Sequence, residues 1–145
     1  MFVLDTNVIS CLMKPEYYPN LPASLHEVAP SAWLCTSVSL CEIYNGIQKV
    51  KHEQQRQKFV RRLDAVLADY VDADILAFGH QEAQTYNDLR EAIRKQGLGI
   101  KSDYDIMIAS QAIQLGATVV SYDQDFEYLK SSGLKSISLK TDFGV

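Results

Sequence analysis

The feature that most constrains this chain is the alternation of short, β-prone apolar runs with longer segments of helical periodicity. Phe2-Val3-Leu4 reads as a buried strand and Trp33–Val38 as a second, with others at Ala117–Ser121 and Ser136–Leu139. Between them, apolar spacing predicts one or two helical turns over Asn7–Met13 and a short helix near 23–28. Longer helices follow near 39–50, 53–70, 79–96 and 103–115, and a turn with a short helix at 123–131. A further short strand is expected within 71–77. Strands separated by helices need crossover connections. The expected fold is therefore one α/β domain over residues 1–145, a mainly parallel sheet with helices on both faces. Strand order is left open by pattern alone.

Composition fits an ordinary globular domain, with 47% hydrophobic and 22% charged residues. Cys11, Cys35 and Cys41 form no CxxC pair and are odd in number, which points away from a disulfide scaffold and towards a reducing cytoplasm. His26, His52 and His80 are too widely spaced for a local zinc motif. No apolar run approaches the roughly 18 residues of a membrane span. Asp5 interrupts the apolar N-terminus and no basic segment precedes it, so no secretion signal is expected.

In open parallel sheets, functional groups gather beyond the carboxyl ends of the strands. Asp5 ends the first strand and Asp123 follows the strand at 117–121, while Glu42 and Asp105 fall in the first turns of helices that begin at the same edge. Each has an ordinary explanation. Asp5 suits a helix N-cap, Asp123 and Asp125 suit a turn, and Ser39-x-x-Glu42 and Ser102-x-x-Asp105 both have capping-box spacing. Asp105 is the hardest to explain away. Its helix, Asp105–Leu115, carries no charge after the first turn and should be largely buried, with Asp105 on the face of Ala109 and Ala112. A carboxylate entering an interior needs a partner, and several converging carboxylates make a bound cation the natural counter-charge. Oxygen ligands without His or Cys suit Mg²⁺ or Mn²⁺. Such an ion commonly acts on phosphates, lowering the pKa of a bound water and neutralising charge on the phosphoryl oxygens.

At these residues the chain resembles the PIN-domain nucleases, particularly the VapC-type toxins of toxin–antitoxin pairs. The matching pieces are Phe2–Asn7, Ser37–Gly46, Asp105–Ala112 and Leu115–Phe126, in the family's order. The resemblance implies an endoribonuclease dependent on Mg²⁺ or Mn²⁺. Asp5, Glu42, Asp105 and Asp123 match its acidic quartet, with Asp5 and Asp105 the foremost metal ligands. Thr6, Asn7 and Ser121 match supporting polar positions, Ser121 standing where Thr is more usual. Asp103 and Asp125 add acid near the cluster, and one of them is a candidate further ligand. The resemblance also implies a homodimer and a small antitoxin partner that occludes the cleft. Tyr17 and Tyr18 offer apolar surface for either interface.

The net charge of −4 at first speaks against RNA. Positive charge is nevertheless concentrated: Lys49, Lys51, Arg56, Lys58, Arg61 and Arg62 face only Glu53 within residues 48–62. Arg90, Arg94, Lys95 and Lys101 face only Glu91 within 90–101. These segments are either solvated helix faces or RNA-backbone contacts, and Tyr44, Tyr104 and Tyr122 are candidate stacking platforms. Setting aside the four quartet acids leaves 14 basic and 14 acidic residues, so the net charge no longer excludes RNA. A haloacid-dehalogenase phosphatase would want a second Asp where Asn7 stands, and a receiver domain would want adjacent acids where Leu4 precedes Asp5. The principal alternative is a PIN-like module that binds RNA or protein without cleaving.

Overall fold

In a computed structural model, residues 1–100 and 102–139 are described. Four strands, β1 (Phe2–Leu4), β2 (Trp33–Leu34), β3 (Thr118–Ser121) and β4 (Lys135–Ser138), form a parallel sheet in the order β2-β1-β3-β4. The helices are α1 (Thr6–Leu12), α2 (Leu21–Val28), α3 (Ser37–Gln48), α4 (Glu53–Tyr70), α5 (His80–Gln96) and α6 (Asp103–Leu115). A 3-10 helix spans Gln124–Ser132. Among the described residues no helix is long and apolar enough to cross a membrane.

Both sheet faces are covered. Along β1 and β3 successive side chains point to opposite faces, as strand geometry requires. Leu4 and Val120 join one core with Leu12, Ile43 and Leu63, while Val3 and Val119 join the other with Leu89, Ile106 and Phe126. As expected, α6 is largely buried, with Ile106, Ile108, Ala109, Ser110, Gln111 and Ala112 all inside. Gly97 and Gly116 end α5 and α6 in the left-handed region (φ 64° and 68°), which glycine adopts without steric cost.

Four expectations change. The second strand stops at Leu34, because Thr36, not Ser39, is the N-cap: its Oγ1 accepts from the Ser39 amide at 3.0 Å. Ser39 and Glu42 therefore both lie inside α3 and form no capping box. Residues 71–77 contribute only a bridge from Leu76 to Thr36. Ser102 does cap α6, but its side chain makes no capping bond, so the Ser102–Asp105 box is absent too.

The Thr36 cap is fully buried and fixes where α3 begins. Thr36→Val, which keeps the shape and removes the hydroxyl, should cost about 1–2 kcal/mol. Urea denaturation checks this, and an unchanged midpoint would refute the assignment of the cap.

Candidate active site

The chain leaves β1 towards β2 on one side and later enters β3 on the other, so the strand order reverses at β1. A crevice opens beyond the carboxyl ends at such a switch point. Asp5 and Ser121 stand there side by side, the Asp5 amide bonding the Val120 carbonyl at 2.9 Å. Asp5 is buried and caps α1 by accepting from the Thr6 amide at 2.8 Å through Oδ1. Its Oδ2 accepts from the Ser121 hydroxyl at 2.7 Å.

Ser121 is the hub of this edge. Besides donating to Asp5, its Oγ accepts from Asn7 Nδ2 at 3.2 Å and from the Asp123 amide at 2.8 Å. Asn7 Oδ1 in turn accepts from the Tyr122 amide at 3.2 Å. Asp123 begins the 3-10 helix, its Oδ1 accepting from the Asp125 amide at 2.9 Å. On the α3 side, the Thr6 hydroxyl donates to Glu42 Oε1 at 2.6 Å and lies 3.1 Å from Ser39 Oγ. The buried cap of α3 is thus coupled to the orientation of Glu42.

All four quartet acids line one cleft of about 530 Å³, together with Thr6 and Asn7. Ser10, Cys11 and Ser102 complete its wall and were not anticipated. The helical spacing of Asn7, Ser10 and Cys11, which puts them on one face of α1, was the available signal. Carboxylate oxygens of Asp105, Asp123 and Asp125 lie within 4.8 Å of one another. Asp125 thus joins the cluster. Asp103 does not: it is exposed, accepts from the Tyr86 hydroxyl at 2.9 Å and pairs with Arg90 at 3.5 Å on α5.

Burial pushes the Asp5 carboxyl up to about 6, against the lowering effect of the Ser121 and Thr6 bonds. Burial pushes Asp105 up to about 7, reinforced by the negative charges of Asp5, Asp123, Glu42 and Asp125. Asp125 is raised in the same direction by burial and by Asp123. Among the described residues, no ion pair reaches any of these acids. An all-carboxylate donor set lacking a cationic neighbour fits a hard divalent cation.

The expected basic surface divides. Arg62 is not simply solvated: it bonds the Met13 carbonyl at 2.9 Å and pairs with Glu16 at 2.7 Å. Arg56 bonds the Val50 and Lys51 carbonyls, Arg94 pairs with Glu91, and Arg90 with Asp103. Lys49, Lys51, Lys58, Arg61 and Lys95 are exposed. Lys101 lies outside the described residues.

A family model described as PIN domain matches residues 2–131. The chain belongs to the PIN domain family. Solved structures similar to this PIN domain include VapBC2 from Rickettsia felis bound to a DNA fragment from their promoter. That chain is 25% identical with a TM-score of 0.77, covering 94% of this chain and 97% of its own. FitAcB from Neisseria gonorrhoeae is 22% identical with a TM-score of 0.79, covering 95% and 97%. DNA-bound VapBC from Salmonella typhimurium is 22% identical with a TM-score of 0.75, covering 94% and 96%. No curated protein matches the chain.

The raised pKa values of this PIN domain fix a sign. Between the ordinary Asp range and about pH 7, folded Asp5 and Asp105 bind protons more tightly than they do in the unfolded chain. They therefore reduce stability as pH rises through that window, and the penalty is fully present above it. In EDTA, Asp105→Asn should melt a few degrees above the wild type at pH 8, with the gap closing at pH 5 (roughly 3 °C per kcal/mol for this size). Calorimetry at both pH values tests this. A variant that melts lower at pH 8 would contradict the uncompensated charge.

Proposed function

We propose that this PIN domain is a metal-dependent endoribonuclease and the toxin of a toxin–antitoxin pair. The observation that carries the reading is the convergence of Asp5, Glu42, Asp105 and Asp123 on one cleft. The match to a family of general nuclease character supports it, as does likeness to proteins described as VapBC complexes. Those complexes also support a small antitoxin as partner, and a homodimer remains part of the proposal.

Asp105, Asp123 and Asp125 would hold Mg²⁺ or Mn²⁺ with Asp5 and Glu42 beside them. When bound, such an ion offsets charge on the phosphate and makes water more acidic. The chain's own groups then have separable tasks. Thr6 fixes Glu42 and, with Ser121, fixes Asp5, so neither carboxylate must reorganise when substrate arrives. A cleft carboxylate accepts the proton lost by the attacking water as the phosphorus–oxygen bond to the leaving group breaks. Asn7 and the Asp123 amide hold Ser121 in register, so their effect on the reaction passes through Asp5.

The purified chain should cleave RNA with Mg²⁺ or Mn²⁺, and EDTA should suppress it. Asp5→Asn and Asp105→Asn should each lower the rate at least about 100-fold, the scale expected for removing a charge-stabilising or general-base group. Circular dichroism should show both variants folded. RNA binding without cleavage by the wild type under these conditions would favour the non-catalytic module, and undiminished cleavage by both variants would displace the site.

A further inference from the structure

We infer that single-stranded RNA leaves the acidic cleft along the groove between α3 and α4, its phosphates held by Lys14, Arg61 and Lys58 and one base stacked on Tyr44. The inference rests on the nuclease reading and deepens it by assigning the substrate's path. A groove of about 250 Å³ shares Thr6, Ser10 and Glu42 with the acidic cleft and carries Lys14 on its wall. Through Ile47 it meets a second hollow of about 450 Å³ that holds Tyr44 and Arg61. Through Arg61 that hollow meets a third, of about 530 Å³, that holds Lys58 and His52. The hollows follow one another from the carboxylates to the basic half of α4 through these shared lining residues, with Glu53 also on the walls of the outer two.

The cations separate into two groups. Arg56 and Arg62 hold backbone carbonyls, and Arg62 also pairs with Glu16. Lys14, Lys58 and Arg61 are exposed and belong to none of the ion pairs among the described residues. Lys58 and Arg61, three residues apart, are neighbours on one face of α4. Tyr44, 42% exposed, lines the same hollow as Arg61. An apolar floor of Ile47, Val50 and Phe59 under a basic rim with an exposed aromatic ring is the composition that single strands use. Bases stack below while phosphates meet cations above. Gly46 lies on the floor, and a Cβ there meets nothing within 4 Å, so the passage is open at that point.

The test uses the full chain carrying Asp5→Asn and a short, unstructured, fluorescently labelled oligouridylate, with binding followed by anisotropy across a salt series. Adding Lys58→Glu and Arg61→Glu should weaken binding at least about 10-fold and reduce the salt slope by roughly 1.4, the loss of two single-strand phosphate contacts. Tyr44→Ala should weaken it at least about 5-fold. Gly46→Phe, which blocks the groove without altering charge, should weaken binding with the salt slope retained. Unchanged affinity and slope in the charge-reversed protein would overturn the path. So would unchanged RNA affinity accompanied by loss of binding to a synthetic acidic amphipathic peptide, which would assign the groove to a protein. In the otherwise wild-type chain, with Asp5 retained, the same reversals give an independent kinetic reading. If they leave kcat/KM for RNA unchanged, only the path fails. If that unreversed chain cleaves no RNA, the nuclease reading itself fails.

Discussion

The constraint on which the rest of the structure depends is the gathering of several carboxylates at one edge of a parallel sheet, with no ion pair among the described residues to answer them. Desolvation and mutual repulsion both disfavour the charged state, and they act on Asp5 and Asp105 together. The fold supplies compensation in hydrogen bonds: the Thr6 amide and Ser121 hydroxyl to Asp5, the Thr6 hydroxyl to Glu42, the Asp125 amide to Asp123. These bonds determine direction as well as stability. Ser121 uses its one proton towards Asp5 and both acceptor positions towards Asn7 and Asp123, so its geometry leaves no freedom for the acid it supports.

Much of the fold was legible because its causes are local. The helical stripe over 53–70 coincides with α4, and the uncharged stretch after Asp105 coincides with a buried helix, since both follow from periodicity and polarity. The limits of the second strand were not legible. Trp33–Val38 is rich in β-formers, and the backbone turns into α3 where a buried Thr36 caps the helix by accepting from the Ser39 amide. Ser39 is an equally good capping residue by type. Strand order was invisible for a related reason, being set by which faces the crossover helices can cover.

The site was legible to the extent that it sits at element ends. Asp5 and Asp123 follow strands, and the rule for parallel sheets brings them to the same edge. Asp103 and Asp125 could not be separated on that basis, because both lie two residues from a quartet acid. On α6, a step of two residues turns the side chain well away, and Asp103 meets Tyr86 and Arg90 on α5. After β3 the chain enters a tight 3-10 turn capped by Asp123, which holds Asp125 on the same side. Identical spacing has opposite consequences in the two backbones.

The same distinction separates the basic residues. A net local charge counts Arg56 and Arg62 equally with Lys58 and Arg61, yet guanidinium groups that bond carbonyls and a nearby glutamate are part of the packing. Removing them would be felt first in stability. Lysines and arginines with no such bonds retain their solvation and their ability to meet a moving phosphate, which is the condition for a contact to appear in salt dependence. Acidic and basic surface therefore occupy different members of a row of adjoining hollows. On the proposed reading, a phosphate chain would be attracted at the α4 end and repelled at the cleft unless a cation intervened, so the metal would serve the substrate as much as the carboxylates.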